Sequence, residues 1–168
     1  MGGRTKRSKR QSVGSPGQSQ PDPFVLFLDE GIHNCRPIHL ALREMDVVHQ
    51  RHGERFSAGI EDTKWLPEVG KEKWALLTAD KRIRYNQLER DKIVQYGIRE
   101  FVFTSGNLSG AMMGEILKVA IPRMRKLFAE VPPPFIACIS QSGNVEVRFN
   151  KYGSLHDREK RKPEKKSD

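Results

Sequence analysis

Cysteine is nearly absent from this 168-residue chain, which carries only Cys35 and Cys138. They are far apart and form no CxxC pair, so no disulfide framework is expected and a reducing, cytoplasmic setting is the simplest. Long apolar runs are missing too. The stretch Phe24 to Leu28 is too short for a signal segment or a bilayer span, so no membrane partner is expected. There is no P-loop, no complete GxGxxG and no Ser-His-Asp order, which removes the motif-borne forms of nucleotide binding and of acyl transfer. His33, His49 and His52 have no partners at zinc spacing and read as solvated loop histidines.

Charge is present in excess, with a formal net +9. An anionic partner such as nucleic acid follows from that sign. The excess is unevenly placed. Before Pro23, five basic residues oppose Asp22; from Ser154 onward, six basic residues oppose four acidic ones. Those ends hold +4 and +2, which leaves +3 for the middle. Residues 1–23 and 151–168 lack apolar periodicity and are read as disordered, solvated tails, with assistance to RNA binding as the alternative. Residues 24–150 are read as one compact domain.

Within that domain, Phe24-Val-Leu-Phe-Leu28 reads as a strand buried on both faces, ending in Asp29. A helix is predicted over 36–45 and a short strand over 46–49, followed by a loop. Asp62 is read as the N-cap of a helix that carries Trp65, Leu66 and Val69 inward. Trp74 to Thr78 is a second buried strand leading to Asp80. A helix over 85–96 and a strand around Phe101-Val-Phe103 come next. Ser105 to Gly110 then opens a long helix, capped by Ser109 and kinked at Pro122. Two strands joined at Ser142-Gly-Asn144 form a smaller terminal hairpin. The βαβαβαβα order implies a mainly parallel sheet covered on both faces.

In open parallel sheets, ligands bind beyond the carboxyl ends of the strands. That edge is expected to gather Asp29, Asp62, Asp80 and Asn107. Clustered carboxylates repel one another unless a cation neutralises them, and Mg²⁺ or Mn²⁺ suits such oxygen donors. Lys81, Arg82 and Arg84 are candidates to hold substrate phosphates, or else a solvated helix start. Ser105, with the following backbone N–H groups, is a candidate phosphate site at a helix N-terminus, against the alternative of a capped turn. Glu30 and Glu89 are read as surface residues with at most a minor part.

The segments Phe27-Leu-Asp-Glu30, Asp62-Thr-Lys-Trp-Leu-Pro-Glu-Val-Gly70, Leu77-Thr-Ala-Asp-Lys-Arg-Ile-Arg84, Gly106-Asn-Leu-Ser-Gly110 and Pro133-Pro-Phe-Ile136 together resemble a bacterial family of PIN-like domains grouped with VapC-type toxins. The resemblance spans about Phe24 to Phe149. It implies a three-layer α/β/α fold and a Mg²⁺- or Mn²⁺-dependent endoribonuclease, with Asp29, Asp80 and Asp62 as metal ligands. It also implies RNA as substrate, an antitoxin protein as a partner, and a homodimer as one assembly. Asn107 stands where the family often has another acid. A module that keeps the fold and binds nucleic acid or protein without cleaving is therefore the alternative function, and a receiver-like domain is a third.

Overall fold

The protein is described here from a computed structural model covering residues 20–84 and 86–154, and the side chains of residues 83, 84 and 154 lie outside the description. Most of both tails, and the statement that they are disordered, likewise lie outside it.

Seven strands form one sheet: β1 (Val25–Leu28), β2 (Val48–Arg51), β3 (Ala75–Thr78), β4 (Arg99–Phe103), β5 (Phe135–Ile139), β6 (Val145–Asn150) and β7 (Gly153–Ser154). The helices are α1 (Arg36–Glu44), α2 (His52–Arg55), α3 (Asp62–Lys71), α4 (Gln87–Tyr96) and α5 (Gly110–Glu130), with a 3₁₀ turn over Lys81–Arg84. Spatial order is β2-β1-β3-β4-β5-β6-β7. The first five strands in that order are parallel, and β6 and β7 add antiparallel. The fold is the three-layer α/β/α arrangement expected.

The sequence is followed closely wherever apolar runs are continuous. β1, β3, β4 and β5 lie inside the sheet and are almost wholly buried. Their alternating side chains feed two cores. Leu26, Leu28, Phe101, Phe103 and Phe135 face α1 and α5, whereas Phe27, Leu76, Val102 and Ile136 pack with Trp65, Leu66 and Val69 of α3 and Ile93 of α4. Cys35 packs at the first core and Cys138 in the second, and no disulfide joins them.

Several expectations need correction. The second strand starts two residues later than predicted, because Asp46 takes a left-handed turn (φ 54°) and Val47 N–H still bonds Leu42 of α1. One helical turn, α2, stands where a loop was read; Gly53 and the polar sequence hide it. Asp62 is not the N-cap of α3. Glu61 holds that position, and Asp62 is the first helical residue. The hairpin is no appendage, since its first strand, β5, is the fifth parallel strand. Gly153 and Ser154 pair with β6, so ordered strand continues into the segment assigned to the tail. Ser109 does cap α5, accepting the Met112 N–H at 3.2 Å.

Candidate active site

The order β2-β1-β3 reverses direction of chain winding between β1 and β3. In open α/β sheets a crevice forms at that reversal, beyond the carboxyl ends. A cavity of about 350 Å³ lies there, walled by Asp62 and Trp65 of α3, Asn86 and Glu89 at the start of α4, Leu76 of β3, and Glu100 of β4. Asp29, Asp80 and Arg82 also line it. Five carboxylates therefore share one pocket.

Asp29 follows β1 directly. Its Oδ2 accepts the Thr78 hydroxyl, and its Oδ1 is buried with no hydrogen-bond partner among the described residues. Burial raises its carboxyl to about 6, partly opposed by the Thr78 bond and by the backbone N–H groups of Ile32 and Gly31. Thr78 Oγ1 in turn accepts the Asp80 backbone N–H at 3.0 Å. The last residue of β3 thus ties the two acids together.

Asp80 is gripped by Arg82, whose Nε and Nη2 donate at 3.1 and 2.9 Å. That bond holds the Asp80 carboxyl below its usual range. Arg82 is itself 88% exposed, so the pair is solvent-screened and readily exchanged. Asp62 accepts the Trp65 indole N–H at 3.2 Å and lies 3.4 Å from Lys92 Nζ, which is 3.5 Å from Glu89. Lys92 therefore compensates one wall of the pocket.

Glu100 is the residue that sequence reasoning missed. It lies in mid-strand, in register with Leu76 of β3 and Ile136 of β5, at a position where its neighbours are core residues. It is 0% exposed, and neither carboxylate oxygen has a partner among the described residues. Burial, then the negative charges of Asp29, Glu89, Asp80 and Asp62, push its carboxyl well above the usual range. A carboxylate directly before the apolar run Phe101-Val-Phe103 was the available signal. Glu89, read as surface, and Asn86 also belong to the pocket.

Of the predicted residues, Asp29, Asp62, Asp80 and Arg82 come together; Lys81, Ser105 and Asn107 do not line the pocket. The reason lies at the end of β4. Thr104 bonds Ile139 through both its N–H (3.0 Å) and its hydroxyl (3.1 Å), drawing the chain toward β5 and on to α5. Asn107 sits exposed in that loop with φ 55°. The Arg84 side chain lies outside the described residues. Two of the three histidines read as solvated loop residues are not: His52 is buried against Phe27, Phe56 and Trp65, and His49, on β2, pairs with His39, whereas His33 does lie in the turn after Asp29.

Hard oxygen donors, two of them with orphaned buried oxygens, match the chemistry of Mg²⁺ or Mn²⁺. Among the described residues no three acidic, histidine or cysteine side chains converge closely enough to clasp one ion. Mg²⁺ keeps several waters and commonly uses one or two carboxylates, so this donor set fits it without a closed cage.

Among the described residues no helix is long and apolar enough to cross a membrane. Residues 25–105 match a family model described as a PIN like domain, which supports a PIN-like domain over this stretch but not the VapC-type subfamily. All five pocket carboxylates fall within the matched segment. No curated protein and no solved structure matches the chain.

Proposed function

We propose, from a PIN-like domain over residues 25–105, that the chain is a divalent-metal-dependent endoribonuclease whose site is the five-carboxylate pocket. The observation that carries this reading is the pairing of Asp29 with Glu100. Their buried oxygens line the crevice beside β1 and β3, where burial raises both carboxyls, and a cation would compensate the charge that each carries once deprotonated.

Asp29 and Glu100 would hold the ion, with Asp80 as a third donor once Arg82 releases it. Bound there, Mg²⁺ or Mn²⁺ lowers the pKa of a bound water and neutralises charge on a phosphodiester. Thr78 orients Asp29 by fixing one of its oxygens. Arg82, freed from Asp80, can turn its guanidinium to a phosphate. Lys92 keeps Asp62 and Glu89 from repelling the same strand. Trp65 and Leu66 form the apolar wall that limits water in the cavity.

The experiment is RNA cleavage with Mn²⁺ or Mg²⁺ and with chelator, for the wild type, Asp29→Asn and Glu100→Gln. Metal-dependent cleavage by the wild type alone is expected. Equal cleavage by all three overturns the assignment. A toxin role predicts growth arrest on expression, relieved by Asp29→Asn and by a co-expressed antitoxin. A cytoplasmic setting belongs to the same proposal.

One observation favours a second reading, a binding module without catalysis: Asp80 is occupied by Arg82 and no three donors converge. On that reading RNA binds, no cleavage occurs, and the melting temperature ignores millimolar Mn²⁺.

A further inference from the structure

A second cavity, of about 370 Å³, lies between α1 and the edge strand β2, lined by Arg36, His39, Arg43, His49, Arg51 and Glu54 with Leu40. Its charge is built by two periodicities. Positions 36, 39 and 43 fall three and four residues apart, on one face of α1. Positions 49 and 51 alternate onto one face of β2, beside Leu26 and Leu28 of β1 in register. Helix and strand therefore aim basic groups into one trough.

Among the described residues only one of its three guanidiniums has an acidic partner. Arg51 donates to Glu54 through Nε at 2.8 Å and also through Nη2. Arg36 and Arg43 have no acidic partner among the described residues. The spacing of these two is informative. Seven helical residues correspond to about 10 Å along the axis, a spacing at which each guanidinium can take its own anionic group. An extended polyanion meets both.

Between them stands a histidine pair. His39 Nε2 lies 2.8 Å from the His33 carbonyl, His39 Nδ1 2.9 Å from His49 Nε2, and His49 Nδ1 3.3 Å from the Val47 carbonyl. Carbonyls only accept, so both outer nitrogens must carry protons, and the inner contact needs one more. All three contacts are made together only when the two rings share three N–H protons; burial, and the His49 and Arg51 charges with it, lower the His39 pKa and oppose that third proton, so the neutral pair makes two of the three. Arg36, Arg43, Arg51, Glu54 and the His33 carbonyl are the charged and polar groups around that pair.

We propose that this trough binds successive phosphates of a nucleic-acid strand, with Arg36 and Arg43 on separate phosphates and the His39–His49 pair between them. The identity of the polyanion rests on reading the acidic pocket as a ribonuclease site; the phosphate chemistry rests on the trough. Guanidinium forks suit phosphate oxygens in two-point contact.

The test is fluorescence anisotropy of a labelled oligoribonucleotide on the full chain in chelator, where nothing is cut, across a salt series. Single-strand binding changes by roughly 0.7 log units per log unit of salt for each phosphate contact. Arg36→Gln with Arg43→Gln is expected to lower the slope by about 1.4 and weaken binding several-fold, uniformly across sequences. Lys64→Gln with Lys71→Gln on α3 removes the same charge and is expected to leave the slope unchanged. An unchanged slope in the arginine variant, or an equal fall in the lysine control, overturns the trough. So does complete displacement by millimolar inorganic phosphate, or equal binding of polyglutamate. The two readings fail separately. Absent cleavage with a normal slope change sinks only the nuclease; normal cleavage with an unchanged slope sinks only the trough.

Discussion

Thr78 donates its hydroxyl to Asp29 while accepting the backbone N–H of Asp80, so one side chain at the end of β3 sets the positions of two pocket acids. Thr78→Val keeps the shape and removes both bonds. Asp29 then loses the bond that partly opposes its raised pKa. The expected result is a Mn²⁺ affinity roughly 10- to 100-fold weaker, as for loss of a group that orients a metal ligand. Calorimetric titration of both proteins checks it.

The metal-free protein should lose stability as pH rises. Asp29 has a folded pKa of about 6 against an ordinary 3.8, and Glu100 is raised further in the same sense. Between the unfolded and folded values the native state binds more protons than the unfolded chain, so stability falls with pH. Protonation of Asp29 is fully favourable below about pH 4 and its contribution is gone above about pH 6. For Asp29 alone the difference is roughly 3 kcal/mol. Urea midpoints in chelator from pH 4 to 8 read it. Glu100→Gln should flatten the curve, and Mn²⁺ should restore stability at pH 8; a rising curve in chelator contradicts the unpaired acids.

Lys92 neutralises Asp62 and Glu89 at 3.4 and 3.5 Å. In Lys92→Met those carboxylates have only a metal to balance them. The apo protein should be less stable and Mn²⁺ should bind more tightly than in the wild type. Thermal melts with and without Mn²⁺ show it as a larger metal-induced shift.

The pocket wall depends on Gly70. A Cβ there would lie 2.1 Å from the Tyr96 carbonyl oxygen, so α3 can approach the end of α4 only because this residue has no side chain. Gly70→Ala should cost about 1–3 kcal/mol, as overpacking against a rigid backbone does. Urea denaturation measures it. The variant should also lose RNA cleavage, since Asp62 and Glu89 ride on the displaced helices.

The sequence made Asp29 and Asp80 legible because each follows an unbroken apolar run, and such runs mark buried parallel strands whose carboxyl ends face the crevice. Asp62 was legible as a helix start, though its carboxylate serves Trp65 and Lys92 rather than the helix terminus. Asn107 misled because every strand end was treated as equivalent. Only the ends flanking the β1–β3 reversal open into the crevice, and Thr104 turns the chain leaving β4 toward β5. Glu100 stayed hidden for the opposite reason. Its neighbours Phe101, Val102 and Phe103 identify the strand, and the face that Glu100 shares with Ile98 and Val102 is decided by packing of α3 and α4 rather than by local pattern. The histidine pair was invisible because His39 and His49 meet only when α1 docks beside β2.

The two cavities lie on opposite faces of the same sheet. The acids sit on the side covered by α3 and α4, and the basic trough on the side of α1. A strand held in both must drape over the rim formed by the ends of β2, β1 and β3, two strand spacings or about 10 Å wide. On the two proposed sites together, the sheet would act as a ruler. Fragments too short to reach across its rim touch one side only, and the shortest efficiently cut RNA should be set by the width of the strands rather than by its sequence.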